Sequence, residues 1–336
     1  MSVLRLSQTA IVFCIITGCV SLDKDAASAL ALAGATASQA IGDQSKSANE
    51  TVAVLPEWWG VTSALNCGSV SDPLLQSGCL NGVTAAVSPN LQSDLAKISD
   101  VLKKRAAAAF QLRTAYQSFG NLVAYNAGDE LKNSLNLTFA SINSLLDSVQ
   151  TLSPGAAFPP ISSTFVSGVG KVGGFLVDQH QKKQILFASK DLHTAVISFA
   201  DALTVERNKV ASESFLAQLA HEQGTLYAAL IRSGLISPKD ALAPLVSTLG
   251  QGIPISQAYA EKNPLVASTA AVVSFNARTK RREQTIISTY DASLAALQSL
   301  AAQHQKIEEG DSVNIESIIK DAQSITADLQ SLPNSK

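Results

Sequence analysis

The stretch "LQSDLAKISDVLKKRAAAAFQLRTAYQSFGNLV", residues 91–123, decides the fold class. Its apolar residues recur at mostly three- and four-residue steps, which places them on one face of an α-helix. The set is Leu91, Leu95, Ile98, Leu102, Ala106, Ala109, Tyr116, Phe119 and Val123, and it continues through Leu131, Leu135, Phe139, Ile142, Leu146, Val149 and Leu152. Residues 91–152 are therefore predicted to form either one very long helix or two, with interruptions possible at Gly120 and Gly128.

Two further helical blocks follow the turn residues Ser153-Pro154-Gly155. The first covers about 163–235 and the second begins after the loop "GQGIPISQAYAEKNP". Their stripes contain Leu192, Val196, Phe199 and Leu203, then Ile286, Tyr290, Leu294, Leu297 and Leu300, and a last helix is marked by Ile315, Ile318, Ala322, Ile325, Leu329 and Leu332. Ser237-Pro238-Lys239-Asp240 has the pattern of a helix N-terminus, so a short helix is expected to run from there to Gly250.

The composition favours the same architecture and argues against charged partners. Aromatic residues make up only 5 % of the chain and Ala and Ser are abundant, which suits closely packed helices better than a β-sandwich. The formal net charge of -2 implies neither nucleic acid nor another strongly charged partner. We therefore predict an all-α fold, an elongated antiparallel helical bundle over residues 91–336, preceded by a small disulfide-stapled N-terminal cap.

The N-terminus has the order of an export signal. The apolar run from Ala10 to Val20 is about half the length that spans a bilayer, it follows Arg5, and it ends in small residues. Residues 1–18 are predicted to be a signal peptide that is removed.

The end of this run, Ile16, Thr17, Gly18 and Cys19, resembles the lipobox of bacterial lipoproteins. The resemblance covers the signal peptide only. It implies a diacylglycerol on the Cys19 sulfur and further acylation, for example by palmitate, at the new amino group, and two or more acyl chains hold a protein stably in a membrane. Val20 and Ser21 then favour the outer membrane, facing the periplasm. An ordinary secretory signal with a chance cysteine, as at Cys14, is the alternative.

The segment between the signal and the bundle divides into two parts. Residues 19–55 are rich in Ala and Ser and are predicted to be a tether, although a loose helical stripe also runs through them. Residues 56–90 are predicted to be a cap of short helices and turns that is stapled by a disulfide between Cys67 and Cys79. If residues 1–18 are removed and Cys19 carries lipid, these two are the remaining cysteines, and a pair of cysteines in an exported protein usually forms a disulfide. Trp58 and Trp59 either pack the cap against the bundle or contact a partner.

The motifs that suggest chemistry are weak. "GVGKVGG" contains GxGxxG at Gly168, Gly170 and Gly173 but lacks a βαβ setting, and "HEQGT" at 221–225 lacks the second histidine of a zincin helix. The histidines, His180, His193, His221 and His304, are scattered, so no metal site is expected. Lys103-Lys104-Arg105 and Lys280-Arg281-Arg282 are interpreted as solvated helix faces rather than phosphate grips.

These features favour a non-enzymatic, lipid-anchored envelope protein without a cofactor, which acts as a scaffold or accessory component by binding an envelope protein through a helical surface. A pore-forming or membrane-remodelling protein is one alternative, because "FVSGVGKVGGFLV", residues 165–177, is apolar and Gly-rich. An envelope hydrolase is another, if scattered residues converge in a pocket.

Overall fold

The computed structural model describes residues 24–68, 72–82, 89–125, 128–166, 174–237, 239–243 and 262–311, together with 316, 320, 323 and 327. Within these ranges the regular structure is helical and contains no strand. The helices with defined bounds are α1 (Lys24–Ala53), α2 (Leu55–Cys67), α3 (Pro73–Gly82), α4 (Pro89–Tyr125), α5 (Gly128–Leu152), α6 (Gly174–Val210), α7 (Glu213–Arg232) and α8 (Pro264–Glu309). The all-α bundle with a stapled N-terminal cap is thus confirmed.

The stripe over residues 91–152 forms two helices, α4 and α5. The acidic residues Asp129 and Glu130 occupy the first turn of α5, where they complement the positive end of the helix dipole. The two helices pack against each other in opposite directions, because Ser118 and Ser134 share a hydrogen bond of 2.8 Å near one end and Lys104 donates to Ser148 near the other. The two-helix alternative is therefore the correct one.

The main body of the bundle consists of α1, α4, α5, α6 and the second half of α8 around one apolar core. The stripe predicted in the second block is fully inside it, with Leu192, Val196, Phe199 and Leu203 all at 0 % exposure. Helix α8 runs antiparallel to α6, since Ser189 meets His304 and Arg207 meets Asp291.

The prediction of a tether over residues 19–55 is wrong for its described part. Residues 24–53 form the 30-residue helix α1, which packs along α4 in the opposite direction. Its buried face includes Leu30, Ile41 and several alanines. Small residues let two helix backbones approach closely, and the ring of Tyr116 lies directly against Gly34. The Ala- and Ser-rich composition of this segment therefore reflects the close packing of two helices.

A second layer extends the bundle beyond this body. Helix α7 packs against the first half of α8, and α2 packs against α7. Helix α8 has 46 residues, a length of about 69 Å at 1.5 Å per residue, so it spans both layers. It ends at Gly310, whose φ of 81° is the left-handed conformation that glycine adopts readily at a helix C-terminus.

The predicted helix start at Ser237 is confirmed where it is described. The Ser237 hydroxyl accepts a hydrogen bond of 3.1 Å from the backbone N–H of Asp240, and residues 239–243 are helical. The remaining residues of that predicted helix, most of the predicted last helix after Asp311 and the predicted signal peptide lie outside the described residues. No helix in the described ranges has both the length and the apolarity needed to cross a bilayer.

Candidate functional site

The largest fully buried side chain of the described residues is Arg105 on α4. Its guanidinium donates to Glu206 Oε1 on α6 at 2.7 Å, to Ser45 Oγ at 2.6 Å and to Gln44 Oε1 at 2.8 Å on α1. All three contacts are at least as short as charge-assisted hydrogen bonds usually are. The interpretation of residues 103–105 as a solvated face is therefore wrong for Arg105, because it lies on the core side of α4.

Tyr290 on α8 completes this buried cluster. Its hydroxyl donates to Glu206 Oε1 at 2.5 Å, and its ring lies 4.7 Å from the Arg105 guanidinium carbon. Burial raises the pKa of Glu206, while the charge of Arg105 and the hydroxyl of Tyr290 act in the opposite direction. Glu206 Oε2 is buried and has no hydrogen-bond partner in the described part of the chain. The cluster joins α1, α4, α6 and α8, so its geometry fixes the register of four helices rather than presenting a charge to a ligand.

A second buried polar group surrounds His304 on α8. Its Nε2 is 2.8 Å from the Tyr116 hydroxyl and its Nδ1 is 2.8 Å from the Ser189 hydroxyl. Since both partners are hydroxyls, either neutral tautomer is satisfied. Burial, with a smaller contribution from the charge of His193, lowers the pKa of His304 to about 3. His304 is thus a neutral structural residue across the physiological pH range.

His193 on α6 lies next to His304. Its ring stacks 6.5 Å from that of His304, and its Nδ1 is 3.1 Å from Glu308. In the ranges that the structure describes, no group of three His, Cys, Asp or Glu side chains is close enough to hold a metal ion. These histidines therefore form part of the packing of α6 against α8.

Asp191 on α6 holds the segment that returns the chain from α5 to α6. Its carboxylate accepts hydrogen bonds from the hydroxyl of Ser163, from the hydroxyl and backbone N–H of Thr164, and from the backbone N–H of Phe165. These four donors satisfy a carboxylate that is only 3 % exposed. Phe165, the first residue of the apolar stretch 165–177, is thereby buried, whereas most of that stretch and its GxGxxG glycines lie outside the described residues.

A small cavity of about 180 Å³ lies between α7 and α8. Its walls are mainly apolar, from Leu226, Tyr227, Leu230 and Phe275, with Gln223 and Arg282 as the polar lining. Burial and the nearby charge of Arg278 lower the pKa of Arg282. Among the described residues that line this cavity there is no carboxylate, histidine or serine.

The cap presents apolar side chains to solvent. The disulfide Cys67–Cys79 is present and joins the end of α2 to α3. Helix α3 has only ten residues, and its leucines Leu74, Leu75 and Leu80 are 84 %, 66 % and 47 % exposed. The adjacent Asp72 caps the helix through a hydrogen bond of 2.8 Å from the backbone N–H of Leu74. We call Leu74, Leu75 and Leu80 the α3 leucines.

The structure describes only some of the other residues singled out in the sequence. Trp58 and Trp59 lie within α2, but their side chains are outside the description, and so is Cys19. The zincin-like histidine His221 is exposed on α7. Of the second basic triplet, Lys280 and Arg281 are exposed as expected, whereas Arg282 is partly buried at the cavity.

Comparisons with protein-family models, with curated proteins and with solved structures find no match for this chain.

For each buried cluster the sequence contained a signal for the side of the helix on which it lies, but not for its partners. Arg105 lies three residues after Leu102 and four before Ala109, so it belongs to the predicted stripe. His304 likewise lies four residues after Leu300. The exposure of the α3 leucines depends on where α3 stands relative to other helices, and no local pattern reports that.

Proposed function

We propose that this protein is a lipid-anchored component of the bacterial cell envelope that acts by binding another protein, as a scaffold or accessory subunit, and not by catalysis. The observation that carries the proposal is the exposure of the α3 leucines on a disulfide-held helix. Exposed apolar groups that are held rigidly are typical of protein-binding surfaces.

The short length of α3 supports this assignment. An isolated helix of ten residues is marginal in water, and most helical stability in proteins comes from packing of an apolar face. Among the helices with defined bounds, α3 packs mainly against α2, and its residues are mostly exposed. The disulfide therefore supplies constraint, and a partner that covers the leucines would supply the missing apolar packing.

The chemistry of the partner follows from the lack of charge on α3. The helix, "PLLQSGCLNG", carries no charged side chain, so electrostatic steering contributes little to recognition. A protein with an apolar groove that accepts a short helix is the matching partner. Trp58 and Trp59 lie in the helix to which α3 is stapled, and contact with a partner remains one of the two roles predicted for them.

Site-specific photocrosslinking in intact cells tests this function. A photoreactive amino acid at position 75 should yield a discrete crosslinked protein, and the double substitution Leu74→Glu and Leu80→Glu should abolish that product. Position 137 on α5 is the matched control, because Leu137 is also an exposed leucine, at 55 %, but lies on the main body. Equal products from both positions, or a product that survives the double substitution, would refute the assignment to the α3 leucines.

Cell fractionation tests the location separately. The wild-type chain should sediment with outer-membrane markers, and a Cys19→Ser chain should lose that association. Retention of the variant in the membrane fraction would refute the lipid anchor without affecting the argument for α3.

A further inference from the structure

The first half of α8 exposes an apolar strip. Leu265, Val266 and Val273 are 79 %, 56 % and 63 % exposed, and the exposed residues Thr269, Ala270 and Ala277 lie between and beyond them at helical spacing. The opposite face, including Ala267 and Ala271, is buried, the latter against Ile231 and Ala241. We call Leu265, Val266, Thr269, Ala270, Val273 and Ala277 the α8 strip.

Positive charge surrounds this strip. Between residues 262 and 282 the chain has five basic residues and no acidic residue, whereas the whole chain has slightly more acidic than basic residues, 27 against 25. Lys262 is exposed just before the strip, and Lys280 and Arg281 are exposed just beyond it. The acidic residues that flank this segment are Glu261, directly before Lys262, and Glu283, which is close enough to Lys280 for their charges to interact.

The strip and its cations share one sector of the helix. Lys280 follows Val273 by seven residues, which is about two turns, so the two side chains project in nearly the same direction. Arg281 lies at the edge of the same exposed face, four residues after Ala277. A helix with one face packed on protein and the other apolar with basic ends is the arrangement of helices that lie in the interface of a membrane.

We propose that the α8 strip docks on the surface of an anionic lipid bilayer, with its apolar side chains at the acyl boundary and Lys262, Lys280 and Arg281 against lipid phosphates. Helix α8 lies along the membrane surface in this arrangement and does not cross it. Nucleic acid fits less well, because the centre of the face offers Leu and Val where phosphate contacts require polar groups. The α3 leucines, by contrast, lie on a helix whose sequence carries no cation, so the two surfaces suit different partners.

The contact is separate from an anchor at Cys19. Lys24, at the start of α1, donates to Gln181 near the start of α6, whereas the first half of α8 lies beside α7, which follows the end of α6. The strip and Lys24 are therefore at opposite ends of the long axis. The surface contact can consequently be measured on a chain that carries no acyl group.

Vesicle flotation with the full Cys19→Ser chain tests the proposal. The chain should float with phosphatidylcholine vesicles that contain phosphatidylglycerol, more than with phosphatidylcholine alone, and the difference should shrink at high salt. In the same background, K280Q with R281Q should lower the partition onto anionic vesicles by about tenfold or more, since each cation near such a surface adds to the affinity. K132Q with K190Q, which removes two exposed lysines from α5 and α6, is the matched control and should leave the partition nearly unchanged.

A second pair of variants tests the apolar part. Leu265→Asp should weaken flotation with anionic vesicles, and Leu137→Asp on α5 should not. Because both positions are exposed, circular dichroism should show the same helix content in both chains. Equal flotation of the wild type with neutral and anionic vesicles, or equal effects of test and control variants, would overturn the proposal. The proposal would also be overturned if the chain bound no vesicles but bound an acidic protein, and K280Q with R281Q abolished that binding.

Discussion

The buried pair Arg105–Glu206 allows the sharpest test of how the bundle is held together. Replacing Arg105 by Met removes the guanidinium and leaves the Glu206 carboxylate buried, with Tyr290 as its remaining donor among the described contacts. Breaking one side of a buried ion pair costs about 3–5 kcal/mol, because an uncompensated charge stays inside the protein. We expect Arg105→Met to lower the free energy of unfolding by that amount, as measured by urea denaturation followed by circular dichroism.

The double substitution Arg105→Met with Glu206→Leu should cost less than either single one. It removes both charges, and Ser45, Gln44 and Tyr290 each lose one hydrogen-bond partner. If one of these buried groups stays unpaired, the free energy of unfolding falls by about 1–3 kcal/mol. If the two single effects instead add in the double variant, the residues do not act as a coupled pair, and our account of the register of α1, α4, α6 and α8 is wrong.

The adjacent pair Arg207–Asp291 is the matched control. It joins the same helices, α6 and α8, at 2.6 Å, but the two side chains are 33 % and 53 % exposed. Exposed pairs contribute about 0–1 kcal/mol. Arg207→Met should therefore lower the free energy of unfolding by less than about 1 kcal/mol, and a larger loss would show that burial does not explain the effect at Arg105.

Three further outcomes are expected. The pKa of His304 falls from 6.5 to about 3 on folding, so as the pH is lowered the unfolded chain takes up a proton before the folded chain does. The free energy of unfolding should therefore decrease by about 1.4 kcal/mol per pH unit below about pH 6. A His304→Gln chain should lack this part of the pH dependence in urea titrations. Gly34→Ala should cost about 1–3 kcal/mol because its Cβ meets the Tyr116 ring, whereas Gly60→Ala, with open space around it, should not destabilise the protein. Replacing Cys67 and Cys79 by Ser should raise protease cleavage within α3 in limited proteolysis and leave the main body intact; unchanged cleavage would argue against the staple as the main constraint on α3.

The apolar stripes predicted the helices because each stripe must be buried to stabilise its helix. Leu192, Val196, Phe199 and Leu203 were identified from spacing alone and all lie in the core. The Cys67–Cys79 bridge was predicted from cysteine count and export context, and α2 and α3 bring the two sulfurs together.

Two features of the fold were not predictable from local composition. Residues 24–53 resemble a linker in sequence, and their helix is stabilised by contact with α4, which supplies Tyr116 and small residues as complementary surface. Arg105 appeared solvated because Lys103 and Lys104 precede it, yet its partner Glu206 is 101 residues away in sequence. Long-range pairing of this kind decides whether a charge is buried, and a window of neighbouring residues does not contain it.

Metabolic labelling with a clickable palmitate analogue is the most direct test of the proposed lipid-anchored binding protein. The wild-type chain should incorporate the label, Cys19→Ser should lose it, and Cys14→Ser, a cysteine in the same apolar run, should keep it. Equal labelling of the wild type and Cys19→Ser, or no labelling of either, would contradict the account.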